Sequence, residues 1–197
     1  MTDARPSPVS LSPHVAVAVI RIDNPPVNAL GLAVREGLLK AFAEANADAA
    51  VEAIVLTGTG KAFSAGADIT EFAKGRLAPF LPDVILEIER SGKPVVAAIN
   101  GLALGGGLEV LLGCHWRVAD RKVRQLGLPE VKIGLLPGAG GTQRLPRIIG
   151  VPAAAEMIVS GAPITAEKAA SLGLVDRLAD GDVVAAAVAL AGELTGK

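Results

Sequence analysis

Residues 93–109 read KPVVAAINGLALGGGLE. Pro94–Ile99 is a continuous apolar run with β-branched residues, which predicts a strand buried on both faces. Asn100-Gly101 interrupts it. Gly105, Gly106 and Gly107 then stand just ahead of Glu109, and Glu109 is pressed among Leu108, Val110, Leu111 and Leu112. Leu108–Gly113 opens a short helix. A buried strand, a glycine-rich turn and a helix make up the repeating unit of a parallel sheet covered by helices.

Working outward, Val15–Ile22 and Glu52–Thr57 read as further strands bounded by turn residues. Leu32–Ala47 reads as a helix, with Leu38, Leu39, Phe42 and Ala45 on one face. Asp68–Gly92 is mostly helical with breaks at Pro79 and Pro82. Arg117–Ala119 and the region of Leu126–Leu128 predict short strands. Thr142–Gly150, Pro152–Ser160, Ala166–Leu172 and Val183–Leu194 predict helices. Strands alternating with helices give an α/β class. Residues 1–13 are Pro/Ser-rich and are expected to be disordered, which leaves 14–197 as a single domain.

The composition narrows the function classes. A chain of 197 residues supports one sizeable core. Hydrophobic residues make up 51%, yet no run approaches the roughly 18–20 apolar residues of a membrane span. The N-terminus has no apolar signal core, so a cytoplasmic location is expected. The single cysteine, Cys114, excludes an internal disulfide and fits a reducing compartment. A net charge of −1, scattered basic residues and only four Phe and one Trp argue against nucleic acid as a partner. Two His and one Cys leave little for a zinc site.

Two nucleotide motifs fail. Gly58-Thr59-Gly60-Lys61 contains a Gly-Lys pair, but a P-loop needs glycine where Val55 stands and Ser or Thr where Ala62 stands. A dinucleotide fingerprint would take Gly105 and Gly107 and then require glycine at Val110. No redox dinucleotide is implied.

The loops that remain are KAFSAGADI (61–69) and NGLALGGGLE (100–109), each after a strand and each leading into a helix. Ligands of open α/β sheets bind at the carboxyl ends of strands. Helix-starting N–H groups point outward unpaired, and two of them converging on one point form an oxyanion hole. The alternative is that the glycines only allow loop and strand to pack closely. Glu109 is expected to be partly buried, although a glutamate at a helix start can also simply offset the helix dipole. Glu130, in GLPEVKIGLLPGAGG, is either an exposed loop acid or a second reacting carboxylate. Together, two carboxylates and such a hole would suit acid–base chemistry beside a carbonyl.

NPPVNALG (24–31), GKAFSAGADI (60–69), KPVVAAINGLALGGGLE (93–109) and LPEVKIGLLPGAGGTQRLPRIIG (128–150) resemble the crotonase (enoyl-CoA hydratase/isomerase) superfamily, in order and spacing, from about Val15 onward. GLEVLLGCHWRVAD (107–120) looks most like the hydratase part of bifunctional enoyl-CoA hydratase/3-hydroxyacyl-CoA dehydrogenases. The resemblance implies a spiral of ββα units and an acyl-CoA thioester substrate. It implies addition of water to trans-2-enoyl-CoA to give 3-hydroxyacyl-CoA, as in fatty-acid β-oxidation. It places the oxyanion hole at the backbone N–H groups of Ala67 and Gly106. It makes Glu109 the residue that activates the water and Glu130 the residue that delivers a proton to Cα. It lines the substrate and CoA groove with Asn28, Ala29, Leu30, Lys61, Ala65, Gly66, Asp68, Ile69 and Gly105, with Lys61 near the phosphates. No separate cofactor is implied, because coenzyme A is part of the substrate.

The chain departs from the family pattern in two places. One residue is extra between Glu109 and Glu130, near Arg121–Leu126. An extra residue in a strand flips every later side chain, while one in a surface turn does nothing. The chain also lacks the family's usual C-terminal extension. A homo-trimer or hexamer, or a dehydrogenase domain beyond this chain, is therefore the expected partner. An enoyl-CoA isomerase and a non-catalytic acyl-CoA-binding fragment are the competing readings.

Overall fold

The structure is a computed structural model and describes residues 7–14, 16–74 and 77–195. Strands β1 (Val9–His14), β2 (Val17–Ile22), β3 (Ala53–Gly58), β5 (Val95–Ile99), β7 (Trp116–Asp120) and β9 (Arg177–Ala179) form one sheet in the order β1-β2-β3-β5-β7-β9. Only the β1–β2 pair is antiparallel. A second, smaller parallel sheet contains β4 (Ala62–Ser64), β6 (Leu102–Leu104) and β8 (Leu126–Gly127). Each of β3, β5 and β7 is thus followed by a short strand of the smaller sheet, the repeated ββ step that the resemblance implies. The helices are α1 (Leu32–Ala47), α2 (Leu81–Glu89), α3 (Gly106–Gly113), α4 (Gly141–Ile149), α5 (Val151–Ser160), α6 (Ala166–Ser171) and α7 (Val183–Leu194).

The continuous apolar runs follow from burial on both faces. In β3, Ile54 and Leu56 enter one core while Ala53 and Val55 enter the other. In β5, Val95, Ala97 and Ile99 face the first core and Val96 and Ala98 the second. Alternate residues point to opposite faces, so a strand buried on both sides carries no polar beat. The first core holds α1, α2 and α3, and the second is closed by α7 through Val183, Ala187, Leu190 and Ala191.

The structure differs from the sequence expectation at four strands. Residues 9–13 are not a disordered tail: β1 pairs from Val9↔Ile22 to His14↔Val17. Only Val9 of its six residues is buried, so main-chain pairing holds an edge strand without an apolar pattern, and Pro13 is tolerated there. Strands β4, β6 and β9 are three residues long, too short for periodicity to register. The helical stretch expected over 68–92 resolves into a 3-10 segment, Ile69–Lys74, and α2. Pro82 fits the first turn of α2, where a missing N–H costs nothing. Val15, expected to start a strand, lies outside the described residues. Among the described residues no helix is long and apolar enough to cross a membrane.

Candidate active site

Strands β4 and β6 run in parallel and end together, so the turns after Ser64 and Leu104 lie side by side. The first turn is held from below. Ser64 Oγ donates to the Asn28 carbonyl at 2.7 Å and accepts from Gly66 N at 3.1 Å. Ala65 N donates to Val27 O and Leu30 N to Gly66 O, at 2.9 and 2.8 Å. Asn28 has a left-handed backbone (φ 55°). Its amide donates to Thr59 O and Ala62 O at 3.0 and 2.8 Å and accepts from Asn24 N at 2.9 Å. Asn28 and Leu30 are 2% and 1% exposed. The Asn28 side chain and the Leu30 N–H brace the 62–67 turn from inside the protein, and both residues are buried rather than lining a groove.

The turn they brace carries Ala67, which is exposed. A carbon at the Cβ position of Gly66 would stand 3.1 Å from Gly106 N, and one at Gly106 would stand 3.5 Å from Ala67 N. The Ala67 and Gly106 amides are therefore neighbours. Neither donates to a protein acceptor among the described residues. Gly106 N also sits at the start of α3, where the helix dipole is positive.

Glu109, in the first turn of α3, is 2% exposed. Its Oε1 accepts from Ala139 N at 2.7 Å and from Gly141 N at 2.8 Å. Both donors come from the glycine-rich turn that starts α4. Its other oxygen, Oε2, accepts no bond among the described residues. Burial pushes the Glu109 carboxyl above the ordinary range, opposed by the Gly141 and Ala139 amides and by the charge of Arg144.

Glu130 begins the 3-10 turn Glu130–Ile133. Gly105 N donates to Gly127 O at 2.9 Å, which ties the glycine turn to β8 three residues before this glutamate. Gly105 has φ 53°, and a Cβ there would meet Glu130 Oε1 at 3.0 Å. Glu130 Oε2 is buried and has no hydrogen-bond partner among the described residues. Burial raises the Glu130 carboxyl, its own N–H pulls it down, and the negative charge of Glu109 raises it further. Glu130 thus lies within electrostatic reach of Glu109. The segment in which an extra residue is expected is the β7–β8 turn, where Arg121, Lys122, Arg124 and Gln125 are all exposed. Strands β7 and β8 pair with β5 and β6 without a register shift, and Glu130 turns its Oε2 inward.

The remaining predicted residues spread along the edge of the smaller sheet. Ala65 and Asp68 are half-buried and Ile69 is 70% exposed, all close to the amide pair in sequence. Ala29 is half-buried behind them. Lys61 is exposed at the opposite end of β4, in an open cleft of about 460 Å³ with Asn100, Lys122 and Arg124. Along the strand that end lies roughly 10 Å from the amides. Gly105 was expected to line the substrate groove; it also makes room for Glu130. Sequence reasoning missed Ala139, Gly141 and Arg144. Their signal was the GAGGTQR run (138–144), a glycine turn followed by a basic residue.

Two neighbouring amides without a protein acceptor among the described residues, one of them at the start of α3, beside a carboxylate pair in which Glu109 raises Glu130, suit acid–base chemistry next to a carbonyl. The family profile described as enoyl-CoA hydratase/isomerase matches residues 13–197, and the chain belongs to that family. It is 50% identical to the peroxisomal bifunctional enzyme of Pongo abelii over 179 residues, 90% of this chain and 25% of that protein. It is 44% identical to a probable enoyl-CoA hydratase of Bacillus subtilis, covering 96% of this chain and 76% of that one. The crystal structure of an enoyl-CoA hydratase from Bacillus anthracis superposes with a TM-score of 0.89 at 37% identity, over 94% of this chain and 76% of that chain. The chain thus spans about a quarter of the bifunctional relatives and about three quarters of the single hydratases. The fold is the crotonase fold, and the homologues are enzymes.

Proposed function

We propose that this chain adds water across the double bond of a trans-2-enoyl-CoA to give the 3-hydroxyacyl-CoA. The observation that carries the reading is the unequal setting of two carboxylates within electrostatic reach of each other. Glu109 Oε1 accepts two backbone N–H bonds, which favour the charged form. Glu130 has a buried oxygen with no donor among the described residues and feels the charge of Glu109, which favours the protonated form. In this reading Glu109 takes a proton from water as the oxygen attacks Cβ. Glu130 gives its proton to Cα, and the thioester oxygen gains negative charge that the Ala67 and Gly106 amides stabilise. One water is consumed, one C–O and one C–H bond form, and the carbon–carbon double bond becomes single. Glu130 recovers its proton from Glu109 or from solvent.

Each donor of an oxyanion hole is worth roughly 3–4 kcal/mol of barrier, and acid–base assistance adds roughly 10²–10⁴-fold. Exposed Ile69 and Ala67 leave the turn open to a thioester arm. The test is incubation with crotonyl-CoA and mass analysis of the product. Gain of one water supports the reading. A shifted double bond without added water, from a 3-enoyl-CoA, supports an isomerase instead. Binding without conversion supports a non-catalytic thioester-binding protein.

A further inference from the structure

Arg144, in the second turn of α4, sits behind the reacting carboxylate and touches none of the reacting atoms. Its Nε and Nη2 meet the two oxygens of Glu89 at 3.2 and 2.8 Å. Its Nη1 reaches back to the Ala139 carbonyl at 3.1 Å. The peptide unit on the other side of Ala139 ends in the N–H that holds Glu109 Oε1 at 2.7 Å. Gly140, between the two donors to Glu109, has φ 100°, and the guanidinium lies where its Cβ would be. The turn therefore needs glycine at 140 twice over, once for its backbone and once for Arg144. Arg144 is itself only 21% exposed at the side chain, so the bidentate pair with Glu89 fixes one geometry.

We propose that Arg144 is a positioning residue for Glu109: locked by Glu89 on α2, it pins the Ala139–Gly141 turn whose amides orient that carboxylate. The proposal rests on the hydratase reading for its kinetic consequence, but not for its structural one. The charged groups facing Glu109 are Glu130 from the 3-10 turn and Arg144 from α4. Behind Arg144 stand Glu89 of α2 and, beside Glu89, His115 and Arg90. The Arg144 charge holds Glu109 down.

The test compares Arg144→Met, Arg144→Lys and Glu89→Gln with the wild type in crotonyl-CoA hydration across pH. Arg144→Met should lower kcat about tenfold or more while KM stays within about threefold, as expected for lost orientation without lost binding. Its acidic limb should move to higher pH, because Glu109 loses a nearby cation. Arg144→Lys keeps the charge and should move the limb back toward the wild type. Glu89→Gln removes the partner that locks Arg144 and should move the limb in the same direction as Arg144→Met, by less. Carbon NMR titration of the Glu109 carboxyl, assigned with Glu109→Gln, reads the same shifts without turnover. A wild type that is folded but inactive sinks the hydratase reading and leaves the titration to decide this one. An Arg144→Met protein that is less heat-stable yet titrates like the wild type, with an unmoved acidic limb, overturns the proposal.

Discussion

Gly105 and Glu130 each account for the other. The glycine adopts φ 53° and leaves Glu130 Oε1 the space a methyl would take. Gly105→Ala should therefore displace Glu130 and lower kcat about tenfold or more, with the loss larger in kcat than in thioester binding; steady-state kinetics reads the split. The carboxylates also predict a pH signature of stability. Glu130 has a folded value raised above its ordinary 4.5, so between the two values the folded state binds more protons than the unfolded one. Stability falls as pH rises through the folded value, and below the ordinary value the penalty is absent. Glu130→Gln should melt at higher temperature than the wild type at neutral pH. The gain should shrink as pH falls toward 4.5. Thermal melts at the two pH values check the sign, and an unchanged difference would contradict it. The sequence shows both glutamates among their motifs. It does not show which backbone amides hold Glu109, because the Ala139 and Gly141 donors come from a turn 30 and 32 residues away.

Between elements, buried arginines do the joining that short strands cannot. Arg35 of α1 donates to the carbonyls of Pro79, Leu30 and Leu77 and to Glu71, at 2.7, 2.7, 3.1 and 2.9 Å. Glu71 in turn accepts from Leu32 N at 2.6 Å. One guanidinium thus clamps α1 to both flanks of the segment that runs from the amide turn to α2. Arg117 does the same for β7, reaching Leu174 O at 2.7 Å, Cys114 O at 2.8 Å and Asp176 at 3.3 Å. Removing one member of a buried, hydrogen-bonded ion pair costs about 3–5 kcal/mol. Arg35→Met should lose stability of that order in urea unfolding, and a loss under about 1 kcal/mol would place the pair among weak surface bridges. The α1 boundaries, Leu32–Ala47, and those of α7 were legible because long apolar stripes repeat over several turns. Strand β1 and the three-residue strands were not, since their pairing is main-chain hydrogen bonding that leaves no side-chain pattern.

Over the whole molecule, two cores lie on opposite faces of one sheet, and the carboxyl ends of the smaller sheet's strands carry the amides and, next to them, both carboxylates. The α/β class was readable from apolar runs such as PVVAAI (94–99), whose residues divide between the two cores. The spiral of ββ steps came from the family resemblance, not from periodicity. The family itself is shown by a match over residues 13–197. What no pattern in the sequence could show is that the segment expected to hold an extra residue before Glu130 lies in the turn between β7 and β8, a matter of where the strands end. The decisive measurement is the rate of crotonyl-CoA hydration, followed as loss of the conjugated thioester absorbance, for the wild type, Glu109→Gln and Glu130→Gln. Turnover by the wild type, with kcat down roughly 10²-fold or more in each variant and thioester binding nearly unchanged, is the expected result. Near-normal kcat in either variant, or a folded wild type that binds the thioester without converting it, would contradict two-carboxylate hydration.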